Sequence, residues 1–307
     1  MTALETITEA HQRRIALTLA ARDTDALPKV PNAGGVIVRD GEPLQVMHNG
    51  VVVSEGRYQG AWMTELIRQL RGHHEPQEEF AFHTVLERLA TSAQAPTMVE
   101  LGSFWAYYSV WAKHRIPPAR LILVEPDPSN LAVGRHNLEL NGMDGTFVEA
   151  AIGSEHGTEM TLTRESDDQP HPTRQVSVDG LMRDLAIERI DLLLADVQGA
   201  ETAALRGAAG ALSEGRIRFL VVSTHHHTIS GDPLTHQRCL RILRDAGAHL
   251  VAEHSVSESC SGDGLIVASM FPEDRDLRAE VTIVRARDSL FGELEWDLAR
   301  AFGTPLP

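Results

Sequence analysis

The stretch TMVELGSFWAYYS, residues 97 to 109, decides the fold of this chain. Met98 to Leu101 is apolar and short enough for a buried strand, Gly102 is a turn residue, and a helix is predicted to begin near Trp105. In an open α/β sheet, a ligand binds outside the carboxyl end of such a strand, at the N-terminus of the following helix. The stretch therefore predicts a nucleotide-like cofactor.

The residues around Gly102 narrow the type of cofactor. The dinucleotide fingerprint has glycines at its first, third and sixth positions, and the corresponding residues here are Gly102, Phe104 and Tyr107. A bulky aromatic residue at the third position obstructs a pyrophosphate, which makes an NAD-dependent dehydrogenase the least favoured enzyme class. Glu100, just before the turn, suits a cofactor that carries a positive charge or an amine. S-adenosylmethionine is such a molecule.

Strand and helix patterns alternate along most of the 307 residues. Apolar runs follow at 121–130, 145–153, 189–201 and 216–227, with helical patterns between them. This alternation indicates βαβ units and a mainly parallel sheet with right-handed crossovers. The last two strands, which begin at Ala248 and Asp263, have no segment of helix length between them, so we expect them to pair antiparallel.

Smaller extensions flank the predicted α/β domain. Residues 1–75 begin with an amphipathic helix, which has Leu4, Ile7, Ile15 and Leu19 on one side. Short Val-rich runs follow, broken by Gly-Gly, Asp-Gly and Asn-Gly dipeptides, and these predict a small antiparallel sheet. Residues 271–307 are predicted to form a strand, Val281 to Val284, and an amphipathic helix, Leu290 to Phe302. We therefore divide the chain into 1–75, 76–270 and 271–307.

A helix that leads into the first strand of the core would cover one edge of the cofactor site. Tyr58, Trp62 and Met63 precede that strand and are predicted either to form a lid over the site or to pack in the core.

The composition disfavours several classes of partner. A formal net charge of −15 argues against a large nucleic-acid interface, which needs clustered Lys and Arg, and favours a neutral or cationic small substrate. No stretch reaches the roughly 18 uncharged apolar residues of a membrane span. The N-terminus has no continuous apolar segment typical of a secretory signal. The two cysteines, Cys239 and Cys260, have neither metal-site nor disulfide spacing, so we expect a cytoplasmic protein.

Candidate ligand-binding residues lie at the carboxyl ends of four predicted parallel strands. These segments are Glu100 to Phe104, Glu125, Glu149 to Ile152, and Asp196. Glu125 ends the second strand about twenty residues after the glycine turn, where a carboxylate can accept hydrogen bonds from both hydroxyls of a ribose.

The histidine triplet His225, His226 and His227 ends a further strand. Because a strand alternates its faces, one or two of these histidines can face the cofactor. Histidine has a suitable pKa to act as a general base. Alternatively, Asp196 with His225 and His226 could bind a divalent metal that activates a bound substrate, and this mixed N and O ligation suits Mn, Fe, Ni or Zn better than Mg. A solvent-facing polar loop is the remaining alternative.

Several motifs together resemble the FkbM family of S-adenosylmethionine-dependent methyltransferases. They are EPDPSNL with Asn137 and Asn141 after it, EAAIG, SVDGLMRDL and IDLLLADVQGAETAALRGA, and the similarity runs from about Pro76 to Ser269. The resemblance implies a class I methyltransferase (Rossmann-like) fold, with a seven-stranded mainly parallel sheet and an antiparallel last strand. It also implies O-methylation of a hydroxyl on a sugar, glycan or polyketide-like molecule.

The resemblance also implies roles for individual residues. Glu100 and Gly102 would hold the methionine portion of the cofactor, Glu125 the ribose, Ala150 to Ile152 the adenine, and Asp196 would lie beside the transferring methyl. The full predicted cofactor-binding set is Glu100, Gly102, Ser103, Phe104, Glu125, Pro126, Ala150, Ala151, Ile152 and Asp196. The predicted catalytic residues are Asp196, His225 and His226. The chain departs from the family pattern at Leu194, usually Lys, and at Gln198, usually Glu.

The prediction is therefore an S-adenosylmethionine-dependent O-methyltransferase that acts on a small molecule or glycan and is assisted by a histidine or a divalent metal. Three alternatives stay open: methylation of nitrogen, a metal-dependent hydrolase that uses the histidine cluster, and a non-catalytic binding module with this fold.

Overall fold

The central element is a seven-stranded sheet. The computed structural model describes residues 9–284 and Gly303, and in sheet order its strands are β12, β13, β11, β10, β4, β5 and β6. Their bounds are β4 Thr97–Leu101, β5 Arg120–Glu125, β6 Thr146–Glu149, β10 Ile190–Asp196, β11 Ile217–Thr224, β12 His249–His254 and β13 Gly264–Ser269. Strand β13 pairs antiparallel with both β11 and β12, whereas the pairs from β11 to β6 are parallel. The predicted parallel sheet with an antiparallel last strand is confirmed.

Helices cover both faces of this sheet. They are α3 Pro76–Ser92, α4 Tyr107–Arg115, α5 Pro128–Leu140, α6 Val178–Asp184, α7 Glu201–Arg206, α8 Ala209–Ser213 and α10 Thr235–Asp245. The short helix α9, His227–Ser230, follows β11 and has no buried residue. Strand β10 explains why the core strands are apolar throughout. Leu192 and Leu194 pack in one hydrophobic cluster, while Leu193 and Ala195 pack in another. Because successive side chains point to opposite faces, a strand buried on both sides needs a continuous apolar run.

The N-terminal segment adds α1 Glu9–Ala20, a small sheet and α2 Ala61–Gln69. The small sheet is antiparallel, as predicted, and its strands are β1 Val36–Arg39, β2 Glu42–Val46 and β3 Val52–Ser54. At its first turn, Asp40 and Gly41 both have positive φ, at 52° and 84°, as a tight hairpin turn requires. Leu4 and Ile7 lie outside the described residues.

Asn137 of α5 and Asn141, which directly follows this helix, attach the small sheet to the main domain. Asn137 accepts a hydrogen bond from the backbone N–H of Ser54 at 2.9 Å, and Asn141 accepts one from the N–H of Val52 at 3.0 Å. Asn141 also donates to the Val52 carbonyl at 2.7 Å. The side-chain amides thus satisfy the open backbone groups of an edge strand.

A second small sheet was not predicted from the sequence. Its strands are β7 Ala151–Ile152, β8 Thr158–Thr163 and β9 Pro170–Val176, with β9 between the other two. The alternating sequence TEMTLT of β8 is a strand pattern. This hairpin lies next to the carboxyl end of β6, where it contributes to the cavity described below.

The C-terminal prediction is partly wrong. Residues Val281 to Val284 are not in a strand. The backbone N–H of Val284 instead donates to the carbonyl of Glu258, and that of Thr282 donates to the carboxylate of Asp23. The Thr282 carbonyl also accepts a bond from the Gln77 side chain, so separate segments hold this stretch rather than a neighbouring strand. The predicted helix Leu290 to Phe302 lies outside the described residues. Among the helices of the described part, none is long and apolar enough to cross a membrane.

Candidate active site

A cavity of about 430 Å³ opens at the carboxyl ends of β4, β5 and β10. A volume of this size is typical of small-molecule sites, which span roughly 300–1,000 Å³. All ten residues predicted to bind the cofactor line it: Glu100, Gly102, Ser103, Phe104, Glu125, Pro126, Ala150, Ala151, Ile152 and Asp196. The cavity therefore lies where the sequence placed the ligand.

The turn at Gly102 brings two strand ends into close contact. Gly102 has a φ of +75°, and a Cβ atom there would lie 1.7 Å from the backbone oxygen of Asp196. Only glycine fits this position. Phe104 and Ala106 continue the turn with φ of 31° and 60°, which is strained for residues with side chains.

Glu125 and Glu100 are buried carboxyl groups on the floor of this cavity. Glu125 accepts hydrogen bonds from the backbone N–H groups of Phe104, at 3.1 Å, and Asp127, at 3.0 Å. Burial nevertheless raises the pKa of Glu125 to about 7. Glu100 accepts a bond from the N–H of Ser109 at 3.0 Å, in the first turn of α4, and burial raises the pKa of Glu100 to about 8. Each carboxylate oxygen retains room for a second hydrogen bond.

Asp196 contacts a buried histidine, which in turn contacts a buried glutamate. Its Oδ1 lies 3.3 Å from Nε2 of His225, and the other nitrogen of His225, Nδ1, lies 2.7 Å from Oε1 of Glu201. Glu201 also accepts a bond from the N–H of Gly199 at 2.8 Å. His225 and Glu201 are buried, whereas the Asp196 side chain is 33% exposed and lines the cavity.

Three carboxylates near its ring nitrogens keep His225 charged. A third one, Asp263, lies 3.7 Å from Nε2. Burial opposes the charge, but the hydrogen bonds to Asp196 and Glu201 and the charge of Asp263 raise the pKa of His225 well above its ordinary value. His225 is therefore an imidazolium at neutral pH, and it neutralises part of the acidic cluster.

A known protein family matches the part of the chain that contains this site. The family described as Methyltransferase FkbM domain matches residues 93–250, over half of the chain. The chain belongs to the FkbM methyltransferase family. The matched range contains Gly102, Glu125, Asp196 and His225, and the sheet of this FkbM methyltransferase has the class I methyltransferase topology.

Solved structures similar to this FkbM methyltransferase include three methyltransferases. A precorrin-6y C5,15-methyltransferase from Geobacter metallireducens GS-15 is 16% identical, with 61% of this chain and 86% of that chain covered and a TM-score of 0.36. An O-methyltransferase from Bacillus cereus, in complex with SAH, is 14% identical, with coverages of 63% and 80% and a TM-score of 0.40. A putative O-methyltransferase from Klebsiella pneumoniae is 17% identical, with coverages of 67% and 94% and a TM-score of 0.38. No curated protein matches the chain.

Two of the three predicted catalytic residues of the FkbM methyltransferase are brought together, and the third is not. Asp196 contacts His225, but His226 caps the N-terminus of α9, where its Nδ1 lies 2.9 Å from the hydroxyl of Thr228. Strand β11 ends at Thr224 and α9 begins at His227, so the strand alternation does not extend through the triplet. Neither His225 nor His226 lines the cavity directly.

The predicted metal ligands do not form a compact set. Within residues 9–284 and at Gly303, the single group of three or more His, Cys, Asp or Glu side chains whose ligand atoms all lie within 4.8 Å of one another is His48, His73 and Glu79. Asp196, His225 and His226 are not such a group. Sequence reasoning missed the cluster of His48, His73 and Glu79.

Sequence reasoning proposed Tyr58, Trp62 and Met63 as a lid or as core residues, and it missed the hairpin that forms another part of the cavity wall. Tyr58 lines the cavity with its ring stacked on Trp105 at 4.3 Å, whereas Trp62 and Met63 pack in the hydrophobic core. The β8–β9 hairpin supplies further lining residues, namely Met160, Leu162, Thr163, Arg164, Glu165 and Thr173. Glu165 accepts bonds from Gln59 and Asn130, each at 3.2 Å, so it links the N-terminal extension to the hairpin across the cavity.

The cavity has polar groups that suit S-adenosylmethionine. Three carboxyl groups line it near the glycine turn, Glu100, Glu125 and Asp196, and they match a cofactor with a positive charge and a ribose. The hydroxyl Oγ of Ser103 is buried and has no hydrogen-bond partner in the described part of the chain. Because an unpaired buried hydroxyl is costly, Ser103 is available to a ligand. The residues present therefore fit this cofactor.

Proposed function

We propose that this FkbM methyltransferase transfers a methyl group from S-adenosylmethionine to a hydroxyl of a sugar, glycan or natural-product-like small molecule. One observation carries the proposal. The carboxylate of Asp196 reaches the cavity at the end of β10, while buried His225 and Glu201 hold it from behind. A hydroxyl acceptor needs a group of this kind at the point of methyl transfer, because its proton must leave as the oxygen attacks.

The cofactor would occupy the β4, β5 and β6 side of the cavity. Glu125 would accept hydrogen bonds from the ribose hydroxyls, and Ala150 to Ile152 would pack against the adenine. Gly102 and Ser103 would hold the methionine portion. When bound, S-adenosylmethionine supplies an electrophilic methyl group on a positively charged sulfur. Because this is already a reactive donor, we expect most of the catalysis to come from positioning.

Because His225 is protonated, Asp196 and His225 have different roles in the proposed reaction. An imidazolium has no free lone pair with which to accept a proton. We therefore assign acceptance of the acceptor's hydroxyl proton to the Asp196 carboxylate, and we assign to His225 the role of orienting that carboxylate. Glu201 fixes the imidazole in turn, through the 2.7 Å contact at Nδ1. This arrangement needs no metal at Asp196, and the metal-assisted variant predicted with His225 and His226 stays open to the test below.

The chemistry of the acceptor follows from charge. The cavity is lined by several carboxyl groups and the chain carries a net charge of −15, which favours a neutral or cationic acceptor over a phosphorylated one or a nucleic acid. Both cysteines are buried and unpaired, in keeping with the predicted cytoplasmic location.

The test is calorimetric titration of the protein with S-adenosylmethionine, before and after treatment with a chelator, followed by an assay for S-adenosylhomocysteine release with a panel of polyols and amines. We expect micromolar binding that survives the chelator, and turnover with hydroxyl acceptors. Turnover that returns only with added Mn²⁺ or Zn²⁺ would restore the metal-assisted variant. Turnover with amines alone would favour nitrogen methylation.

Failure to bind S-adenosylmethionine would overturn the proposal. A protein that bound no cofactor but hydrolysed ester or amide substrates with added metal would be the predicted hydrolase. Cofactor binding without turnover on any acceptor, and unchanged by Asp196→Asn, would instead indicate a binding module.

A further inference from the structure

A second cluster of buried histidine and glutamate side chains lies behind the cavity wall. His48 follows β2, His73 lies between α2 and α3, and Glu79 is in the first turn of α3. One ligand atom from each of these side chains lies within 4.8 Å of the other two, and all three residues are at most 4% exposed. The cluster thus joins the N-terminal extension to the methyltransferase domain.

The side chains of this cluster contact one another directly. Nδ1 of His73 contacts Oε2 of Glu79, and the hydroxyl of Tyr107 lies 3.3 Å from the same oxygen. The Tyr107 hydroxyl also lies 2.9 Å from Nδ1 of His48. The imidazole rings of His48 and His73 are stacked, with centroids 4.2 Å apart. Two imidazole rings, one carboxylate and one phenol hydroxyl therefore lie together in the interior of the protein.

We propose that His48, His73 and Glu79 bind one divalent transition metal ion, with the Tyr107 hydroxyl as the fourth contact, and that the ion is structural. Two imidazoles and a carboxylate favour Zn²⁺ among the abundant divalent metals, because imidazole is a poor match for Mg²⁺ and Ca²⁺. The burial of all the donors leaves no open coordination position for a substrate, which is the mark of a structural rather than a catalytic site.

The place of the cluster indicates what the ion would stabilise. His74 and Glu75 directly follow His73 in the chain, and both line the cavity. Tyr107 begins α4, directly after the turn that carries Trp105. A metal at this point would fix three separate segments of chain behind the cavity wall. Because the site is enclosed, we expect the ion to be incorporated during folding and to be released slowly.

The alternative is a metal-free hydrogen-bonded network. Glu79 already accepts backbone bonds from His74, at 2.7 Å, and Glu75, at 3.2 Å. Nδ1 of His74 also lies 2.6 Å from its Oε1. These contacts occupy mainly Oε1, however, and they leave Oε2 to face His73 and Tyr107. In the metal-free arrangement Oε2 contacts Nδ1 of His73 directly, whereas a bound ion would replace that contact, and metal analysis distinguishes the two arrangements.

The experiment measures metal content by mass spectrometry in full-length protein whose affinity tag has been removed. We expect zinc in stoichiometric amount in the wild type, and a lower melting temperature after removal of the metal under mild denaturation, restored on refolding with Zn²⁺. His73→Gln and Glu79→Gln should lose the metal. His83→Gln is the matched control, because His83 is a partly buried histidine on the same helix as Glu79.

Two further outcomes make the test decisive. Asp196→Asn should retain the zinc, whereas loss of zinc in that variant alone would move the metal to the cavity and overturn this proposal. Wild-type protein that contains no metal, and that gains none on refolding with Zn²⁺, would establish the metal-free network. Neither readout depends on methyl transfer, so the metal site and the proposed function can fail separately.

Discussion

Two buried histidine–glutamate clusters lie in this molecule, and they differ in one respect. In the first, His225 is held between Glu201 and Asp196, and Asp196 opens onto the cavity with its side chain 33% exposed. In the second, His73 and Glu79 are both fully buried and no member of the cluster reaches the surface. We call these the open cluster and the closed cluster.

The surroundings of these histidine and glutamate side chains set their protonation states and therefore what each cluster can do. Three carboxylates raise the pKa of His225, so the open cluster has a charged imidazole next to a carboxylate that lines the cavity. Burial and a neighbouring histidine lower the pKa of His48, so the closed cluster keeps a neutral imidazole. The open cluster is arranged to act on a substrate, and the closed cluster is arranged to hold the chain together. Substitutions should therefore separate activity from stability.

The largest effect is expected for Asp196→Asn in the open cluster. Loss of the carboxylate removes the proton acceptor, and general-base catalysis contributes typically about 10²–10⁴-fold, so we expect kcat to fall by that factor. Cofactor affinity should fall by a smaller factor than kcat, because Glu100 and Glu125 remain in the cavity, and the protein should lose some stability, because buried His225 loses one of its three carboxylate partners. Steady-state kinetics together with calorimetry checks this. A variant with full turnover would remove Asp196 from the mechanism.

In the closed cluster, Glu79→Gln should reduce stability instead. Removal of one partner from a buried ionic group costs about 3–5 kcal/mol of unfolding free energy. The wild-type pKa of Glu79 is well below its usual value, so this stabilisation is present above the unfolded pKa and is lost as the pH falls through the folded one. The variant should therefore be less stable at neutral pH and less sensitive to acid.

Urea unfolding at several pH values measures both effects of Glu79→Gln. Glu87→Gln is the control, since Glu87 lies on the same helix but forms a surface pair with Arg115, and such pairs contribute about 0–1 kcal/mol. Equal stability loss in the two variants would contradict the distinction between buried and exposed carboxylates.

Glu201→Gln in the open cluster should have an effect of intermediate size on kcat. A hydrogen bond to a charged group contributes about 1.5–3 kcal/mol, so poor positioning of His225 should lower kcat by roughly tenfold to a hundredfold, with KM little changed. Loss of the Glu201 charge also removes one of the groups that raise the pKa of His225. The imidazole should then titrate at lower pH, which NMR of the ring protons can follow. An unchanged pH–rate profile would limit Glu201 to a structural role.

Sequence alone predicted the sheet well. The run IDLLLAD is a local signal of a buried strand, and the structure has that strand. The turn at Gly102 predicts a ligand-binding edge, and a cavity opens there. The histidine triplet was less informative. Strand periodicity cannot tell which histidine faces Asp196, because β11 ends at Thr224 and the next helix begins at His227.

The closed cluster could not be predicted from local sequence. His73 and His74 read as residues at a helix boundary, and nothing in their neighbourhood points to His48 or Tyr107, which are 25 or more residues away. The β8–β9 hairpin is a different case. Its alternating residues were a usable signal, but a strand pair inside a βαβ series departs from the expected alternation of strand and helix.

The smallest predicted effect is a pH dependence of cofactor affinity that arises in the open part of the site. Burial raises the pKa of Glu125 to about 7 and that of Glu100 to about 8, so both are partly protonated near neutrality in the free protein. A cationic ligand favours the ionised carboxylates, and its binding releases protons. Affinity for S-adenosylmethionine should therefore rise as the pH increases from 6 to 8.5, by less than about tenfold for each carboxyl group that ionises.

Calorimetry in buffers of different ionisation enthalpy measures this proton release, and S-adenosylhomocysteine is the matched control for the charge of the cofactor. It retains the ribose but lacks the positive charge on sulfur, so its affinity should vary less with pH. Glu125→Gln should remove the part of the dependence that the two ligands share, because the ribose contact is common to both. Equal pH dependence for both ligands in the wild type would mean that the carboxylates respond only to groups that the two ligands share, the ribose and the amino group, and that Glu100 does not sense the sulfonium charge.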